Sequence, residues 1–132
     1  MLPKAFVRDY MSSDLTLLQP EMDILSAVRL LIDNGVSGAP VVDEDRNLVG
    51  ILTEKDCMRV VLNAAYHSEY GGTVAELMVT DVETMNPDDS IVDAAKRFYH
   101  NRYLRYPVLR GARLVGLISR SDVMRAMGDF WR

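Results

Sequence analysis

The feature that most constrains the fold of this chain is an internal duplication. The segment Gly50-Ile51-Leu52-Thr53-Glu54-Lys55-Asp56 returns in the second half as Gly116-Leu117-Ile118-Ser119-Arg120-Ser121-Asp122. Upstream, residues of the same type recur in the same order, with Val7, Met11, Pro20, Ile24, Ala27, Asn34 and Pro40 returning as Val74, Met78, Pro87, Ile91, Ala94, Asn101 and Pro107. Matched signals on this scale indicate a tandem repeat. We therefore expect one structural unit to occur twice.

Each copy carries the same succession of local patterns. Short apolar runs at residues 15–18 and 82–85 predict an opening strand, and apolar residues at helical spacing follow from Ile24 and Ile91. Runs at residues 40–42 and 48–52 predict two further strands before a second helix. The sequence thus predicts an α/β (α+β) fold of two β-α-β-β-α repeats. Residues 1–66 form the first repeat with its lead-in, 67–73 a linker and 74–132 the second repeat.

Composition and termini narrow the class of protein. The 132 residues are 48% hydrophobic and contain one cysteine, Cys57, so no disulfide framework is predicted. The start Met1-Leu2-Pro3-Lys4 has no apolar signal region, and no apolar run reaches the ~18 residues of a membrane span. These observations predict a cytoplasmic protein that does not enter a membrane.

A hydroxyl residue followed three positions later by an acid closes the duplicated segment, as Thr53 with Asp56 and Ser119 with Asp122. This spacing is typical of a capping box that only starts a helix. It is also suited to a ligand, because a helix amino terminus attracts phosphate and a carboxylate accepts hydrogen bonds from ribose hydroxyls. The residues alone leave both interpretations open.

Around these motifs the chain resembles a known family. The stretches 36–43 with 48–56, and 102–109 with 114–122, resemble the cystathionine β-synthase (CBS) domain, so the chain is similar to a freestanding pair of such domains, a Bateman module. The resemblance implies two pseudo-twofold-related repeats with two clefts between them. In the family such clefts commonly hold adenosine-containing ligands, and AMP, ADP, ATP and S-adenosylmethionine are the implied candidates.

The resemblance also implies which residues line each cleft. One cleft would combine Thr53 and Asp56 with the segment before the strand proline of the other repeat, namely Leu104, Arg105 and Tyr106. Thr80 would lie near the base of the ligand. The other would combine Ser119 and Asp122 with Ser37, Gly38, Ala39 and Ser13. Arg105 would favour phosphate in the first cleft. Gly38 removes that charge from the second, where Arg120 could compensate.

Other chemistry finds little support in the residues. Two distant histidines and one cysteine give no metal-ligand spacing, and no nucleophile with a positioned base is recognisable, so a non-enzyme is predicted. The net charge of −4 opposes general nucleic-acid binding, although cations dominate between Lys96 and Arg125. The leading hypothesis is a regulatory sensor of an adenosyl ligand that acts on an unknown partner. The alternative is a ligand-independent dimerisation module.

Assembly is predicted from the apolar residues of the second helices. Met58, Met124, Met127, Phe130 and Trp131 exceed what a small core needs, and exposed apolar patches often mark association surfaces. We therefore expect a homodimer with the carboxy-terminal helix at or beside the interface.

Overall fold

The computed structural model describes residues 4–131, and the element order follows the repeat. Its helices and strands are, in chain order, α1 (Val7–Tyr10), α2 (Ile24–Asp33), β1 (Gly38–Val42), β2 (Leu48–Thr53), α3 (Glu54–His67), α4 (Val74–Leu77), α5 (Ile91–His100), β3 (Arg105–Arg110), β4 (Arg113–Ser119) and α6 (Arg120–Phe130). The α/β class and the doubled order of helix, hairpin and helix are confirmed. Within the described residues, no helix combines the length and apolarity needed to cross a bilayer.

Each repeat is built on an antiparallel hairpin. In the first repeat, β1 pairs with β2 so that Gly38 lies opposite Thr53. In the second, β3 pairs with β4 so that Arg105 lies opposite Ser119. Most of β1 and the middle of β3 are buried, as expected for apolar residues that face a core. The second helix of each repeat begins directly after the hairpin, at Glu54 and at Arg120.

The predicted opening strands are wrong in extent. Only Leu18 forms a parallel bridge, to Val41, and only Met85 does so in the second repeat, to Val108. Leu18 donates its N–H to the carbonyl of Pro40 at 3.0 Å and accepts the N–H of Val42 at 2.9 Å. Because the chain turns at a proline two residues later in both copies, one residue alone remains alongside the hairpin.

The chain forms two compact units that differ from the division into repeats. One, the composite unit, contains described residues up to Leu15 together with those from Glu83 onward; the other, the central unit, spans Thr16–Val82. Hydrogen bonds explain this division. Ser12 pairs with Leu117 of β4, so α1 belongs with the second repeat, and Val79 pairs with Ile51 of β2, so α4 belongs with the first. The lead-in expected with residues 1–66 therefore packs in the composite unit.

A glycine in the second strand of each hairpin permits this packing. A Cβ placed on Gly50 would lie 2.7 Å from Met78 Sδ and 2.8 Å from the Val79 carbonyl oxygen. A Cβ on Gly116 would lie 2.5 Å from Met11 Sδ and 2.9 Å from the Ser12 carbonyl oxygen. Only glycine leaves room at these distances for the two lead-in segments, residues 7–13 and 74–80, which explains why this residue type recurs in both repeats.

Candidate functional site

The hydroxyl–acid motif of the central unit lies where β2 ends and α3 begins. Asp56 Oδ2 accepts both the backbone N–H and the hydroxyl of Thr53, each at 2.9 Å, and the Asp56 N–H donates to Thr53 Oγ1 at 3.4 Å. The predicted capping box is therefore present. Within residues 4–131 no donor reaches the other carboxylate oxygen, Asp56 Oδ1. The cap thus uses one oxygen of a half-buried carboxylate and leaves the second as an acceptor.

The motif of the composite unit forms the same cap, but the second oxygen of its carboxylate has a partner. Asp122 Oδ2 accepts the N–H of Ser119 at 2.9 Å, and the Asp122 N–H donates to Ser119 Oγ at 3.3 Å. The hydroxyls of Ser119 and Ser121 lie 2.8 Å apart. Arg125 places Nη1 3.3 Å from Asp122 Oδ1. The two carboxylates therefore differ before a ligand binds: Arg125 contacts Asp122 Oδ1, and no donor among the described residues reaches Asp56 Oδ1.

The segments before the prolines lie beside the motif of their own repeat. The N–H of Glu54 donates to the carbonyl of Ser37 at 2.9 Å, and the N–H of Arg120 donates to that of Leu104 at 3.2 Å. The hairpin causes this proximity, because an antiparallel pair brings the first residue of one strand opposite the last residue of the next. The predicted grouping across the repeats, Arg105 with Thr53 and Gly38 with Ser119, stays a prediction.

The lead-ins place the remaining candidates. Val79 pairs with Ile51, so Thr80 follows it in the unit that holds Thr53 and Asp56; Ser12 pairs with Leu117, so Ser13 lies in the unit of Ser119 and Asp122. Thr80 and Ser13 are both exposed, as a ligand contact requires.

Two candidates are core residues. Ala39 and Tyr106 are 3% and 0% exposed, and the Tyr106 ring packs on Phe98 at 4.8 Å between centroids. The Tyr106 hydroxyl donates to the carbonyl of Arg97 at 3.3 Å, and the Arg97 guanidinium lies 4.5 Å from the ring centroid. Any contribution of Tyr106 to a site is therefore made by its backbone or through its neighbours.

Cationic side chains concentrate on the composite unit. Arg105, opposite Ser119, is half-buried and its side chain has no hydrogen bond or ion pair among the described residues. Arg120 donates to the carbonyls of Tyr103 at 3.1 Å and Asn101 at 3.2 Å, so it fixes the loop before β3. At the position matching Arg105, a Cβ on Gly38 would lie 2.9 Å from the Leu52 carbonyl oxygen. The basic half of the duplication is thus the one with Ser119 and Asp122.

The described residues offer no metal centre and no activated thiol. Among them no group of three histidine, cysteine or acidic side chains could hold an ion. Burial raises the pKa of Cys57, and the negative charges of Asp56 and Glu54 raise it further. A thiol held protonated in this way is a poor nucleophile.

Sequence patterns did not single out Arg125, Tyr10 or Asp129, which the structure joins to Asp122. Arg125 donates to the carbonyl of Tyr10 at 2.8 Å, and the Tyr10 hydroxyl donates to Asp129 Oδ2 at 2.7 Å. That hydrogen bond is the main reason why the pKa of Tyr10 is raised. The three-residue spacing from Asp122 to Arg125 was a usable signal for one contact. No local pattern identifies Tyr10, which lies at the other end of the chain.

The chain matches a known domain family over both repeats. The family is described as CBS domain, and the matched residues are 7–63 and 74–129. Among curated relatives, the uncharacterized protein MJ1225 of Methanocaldococcus jannaschii is 29% identical over 125 residues, which are 95% of this chain and 44% of that protein. The chain spans less than half of the length of this relative and of several other curated relatives that it matches.

Solved structures with the same fold include two with bound adenosyl ligands. CBSX2 of Arabidopsis thaliana in complex with AMP is 27% identical, with a TM-score of 0.85 over 96% of this chain and 98% of that one. The CBS domain pair of protein MJ0100 in complex with 5′-methylthioadenosine and S-adenosyl-L-methionine is 26% identical, with a TM-score of 0.78 over 96% and 98% of the two chains.

Proposed function

This chain belongs to the CBS domain family, and on that premise we propose that it binds an adenosine-containing ligand and signals its occupancy to a partner protein. An adenine nucleotide is the preferred ligand class. The proposed role is regulatory and non-catalytic, and the acceptors and cations near the motifs are suited to holding such a ligand. The AMP complex of the similar CBSX2 supports this ligand class.

The observation that carries the proposal is the free oxygen of Asp56. A capping box needs one carboxylate oxygen, and Asp56 Oδ2 accepts both bonds from Thr53. A half-buried carboxylate oxygen without a donor is costly unless water or a ligand hydrogen-bonds to it. The vicinal hydroxyls of a ribose are donors that such an oxygen accepts. Asp56 Oδ1 is therefore the proposed contact for the sugar in the central unit.

The distribution of charge supports different ligands for the two motifs. In the composite unit, Arg105 lies opposite Ser119 and has no anionic partner among the described residues. A guanidinium next to a helix amino terminus attracts phosphate through charge-assisted hydrogen bonds. In the central unit, Gly38 occupies the matching position. We infer that a phosphorylated ligand binds where Arg105 contributes its side chain, and that the site served by Gly38 takes a less charged adenosyl ligand.

A thermal-shift panel tests the proposal directly. The chain is heated with AMP, ADP, ATP, S-adenosylmethionine, 5′-methylthioadenosine or adenosine, with guanosine as the matched control. A ligand present at about 100 times its dissociation constant adds about 2.7 kcal/mol of apparent stability. We expect a clear rise in melting temperature with at least one adenosyl compound and a smaller one with guanosine. No shift with any adenosyl compound would contradict ligand binding.

The second candidate function is a ligand-independent assembly module. The observation that favours it is that both hydroxyl–acid pairs form complete capping boxes, so helix initiation alone accounts for their residue types. Under this alternative, replacing Asp56 would lower stability and leave every ligand response absent. Melting of the Asp56→Asn variant with and without the best ligand of the panel separates the two functions.

A further inference from the structure

Arg125 connects the acid of the composite motif to the lead-in of the chain. Its Nη1 lies 3.3 Å from Asp122 Oδ1, and its Nη2 donates to the Tyr10 carbonyl at 2.8 Å. The guanidinium also lies 5.5 Å from the centroid of the Tyr10 ring. One side chain therefore holds a candidate ligand contact and the last residue of α1 at the same time.

Tyr10 provides contacts to Arg125 that do not depend on Asp122. The Tyr10 hydroxyl donates to Asp129 Oδ2 at 2.7 Å, so α6 holds this residue through Asp129 as well as through Arg125. Next to it, Ser12 pairs with Leu117 of β4. A guanidinium released from Asp122 would thus keep its carbonyl and ring contacts with Tyr10.

The central unit has the same framework without this connection. Arg59 matches Arg125 in the repeat, follows Asp56 at the same spacing and is exposed. Its side chain has no hydrogen bond or ion pair among the described residues. The residue that matches Tyr10 is Leu77, which has no hydroxyl and is buried. The chain therefore contains its own comparison, a second copy of the motif in which the acid is not engaged by an arginine.

We propose that Arg125 is a positioning residue that competes with a bound adenosyl ligand for Asp122 Oδ1. Asp122 Oδ2 already accepts the N–H of Ser119 and Arg125 contacts Oδ1, so each oxygen has one donor before a ribose hydroxyl arrives. Arg125 therefore competes with the ligand at Oδ1, while Asp56 keeps Oδ1 without a donor among the described residues. This inference rests on the proposed function and adds a reason why the two repeated sites differ in affinity.

The competition predicts a gain of affinity when Arg125 is removed. In a chain whose other site is silenced by Asp56→Ala, Arg125→Ala should tighten adenosine binding by about three- to tenfold, the range expected for an exposed charge-assisted contact. Neutral adenosine is the probe because loss of a cation would weaken phosphate binding for an unrelated reason. Arg125→Gln is the second variant, since it removes the charge that attracts Asp122 and keeps a polar side chain on α6.

Isothermal titration calorimetry decides the outcome. The matched control is Arg59→Ala in a chain that carries Asp122→Ala, where the dissociation constant of adenosine should not change. Weaker or unchanged binding with both Arg125 variants would overturn the inference, since a purely structural role gives a loss and no role gives no change. Absence of adenosine binding by both single-site chains would overturn the proposed function and this inference together.

Discussion

At the scale of single residues, replacing Asp56 distinguishes its role as a ligand contact from its role in the helix cap. We expect Asp56→Ala to weaken adenosine binding in the central unit by about tenfold or more, because a hydrogen bond to a charged acceptor contributes roughly 1.5–3 kcal/mol. Loss of the capping box should lower the free energy of unfolding by about 0.5–2 kcal/mol. Calorimetry and urea unfolding measure the two effects separately.

Glu54→Ala is the matched control for Asp56, because Glu54 is an exposed acid in the same first turn of α3 and its side chain makes no hydrogen bond within the described residues. It should leave adenosine binding unchanged. Equal losses of affinity in both variants would assign the effect to charge at the helix start rather than to the Asp56 carboxylate.

Arg105 provides a second test on the same scale. Its half-buried guanidinium lies in the strand position opposite Ser119 and lacks an anionic partner among the residues described. Arg105→Ala should therefore weaken AMP binding by about tenfold while adenosine binding changes little, because its proposed partner is phosphate. The exposed Arg113, at the turn end of the same hairpin, is the control. If AMP and adenosine lose affinity equally, Arg105 does not contact phosphate.

At the scale of elements, the close approach of each lead-in to its hairpin is the most sensitive contact. A Cβ on Gly116 would meet Met11 Sδ at 2.5 Å and the Ser12 carbonyl at 2.9 Å, and the carbonyl belongs to backbone paired with Leu117. We expect Gly116→Ala to destabilise the protein by about 1–3 kcal/mol in urea unfolding. Gly128→Ala, within α6 and with nothing within 4 Å, should instead stabilise it by up to about 1 kcal/mol. Similar stabilities of the two variants would contradict this packing.

At the scale of the whole molecule, the prediction concerns assembly. The second helix of each repeat leaves apolar residues exposed at matching positions, Met58 with Met124 and Val61 with Met127, and the exposed Trp131 follows directly after α6. Phe130, which the sequence also assigned to this surface, is half-buried against the core of the composite unit. Repeated apolar rows of this kind favour association with a second copy.

We therefore expect light scattering to give a mass near twice 14.9 kDa at micromolar concentration. Trp131→Asp should shift the mass toward the monomer, because it places a charge in the proposed interface. Tyr70→Asp is the control, since Tyr70 is also an exposed aromatic and lies outside both helices. A monomeric wild-type protein would contradict the dimer, and a dimer that survives Trp131→Asp would place the interface on another face.

Local sequence patterns were sufficient to predict the doubled order of elements, the hairpins and both helix starts. These depend on patterns a few residues long, such as the apolar strands and the hydroxyl–acid spacing of Thr53 with Asp56, and the structure shows the capping boxes that this spacing predicts. Local signals of this kind can be recognised in a sequence because the hydrogen-bonding partners lie within a few residues of each other.

The contacts between distant parts of the chain could not be predicted from such patterns and became visible in the folded protein. The antiparallel register placed Arg105 with Ser119, the glycines at 50 and 116 admitted the lead-ins, and α1 joined the second repeat rather than the first. Arg125 reached Tyr10 from the far end of the chain. Such contacts depend on strand register and on packing between segments remote in sequence. The residue pattern of one segment does not identify the segment that it contacts.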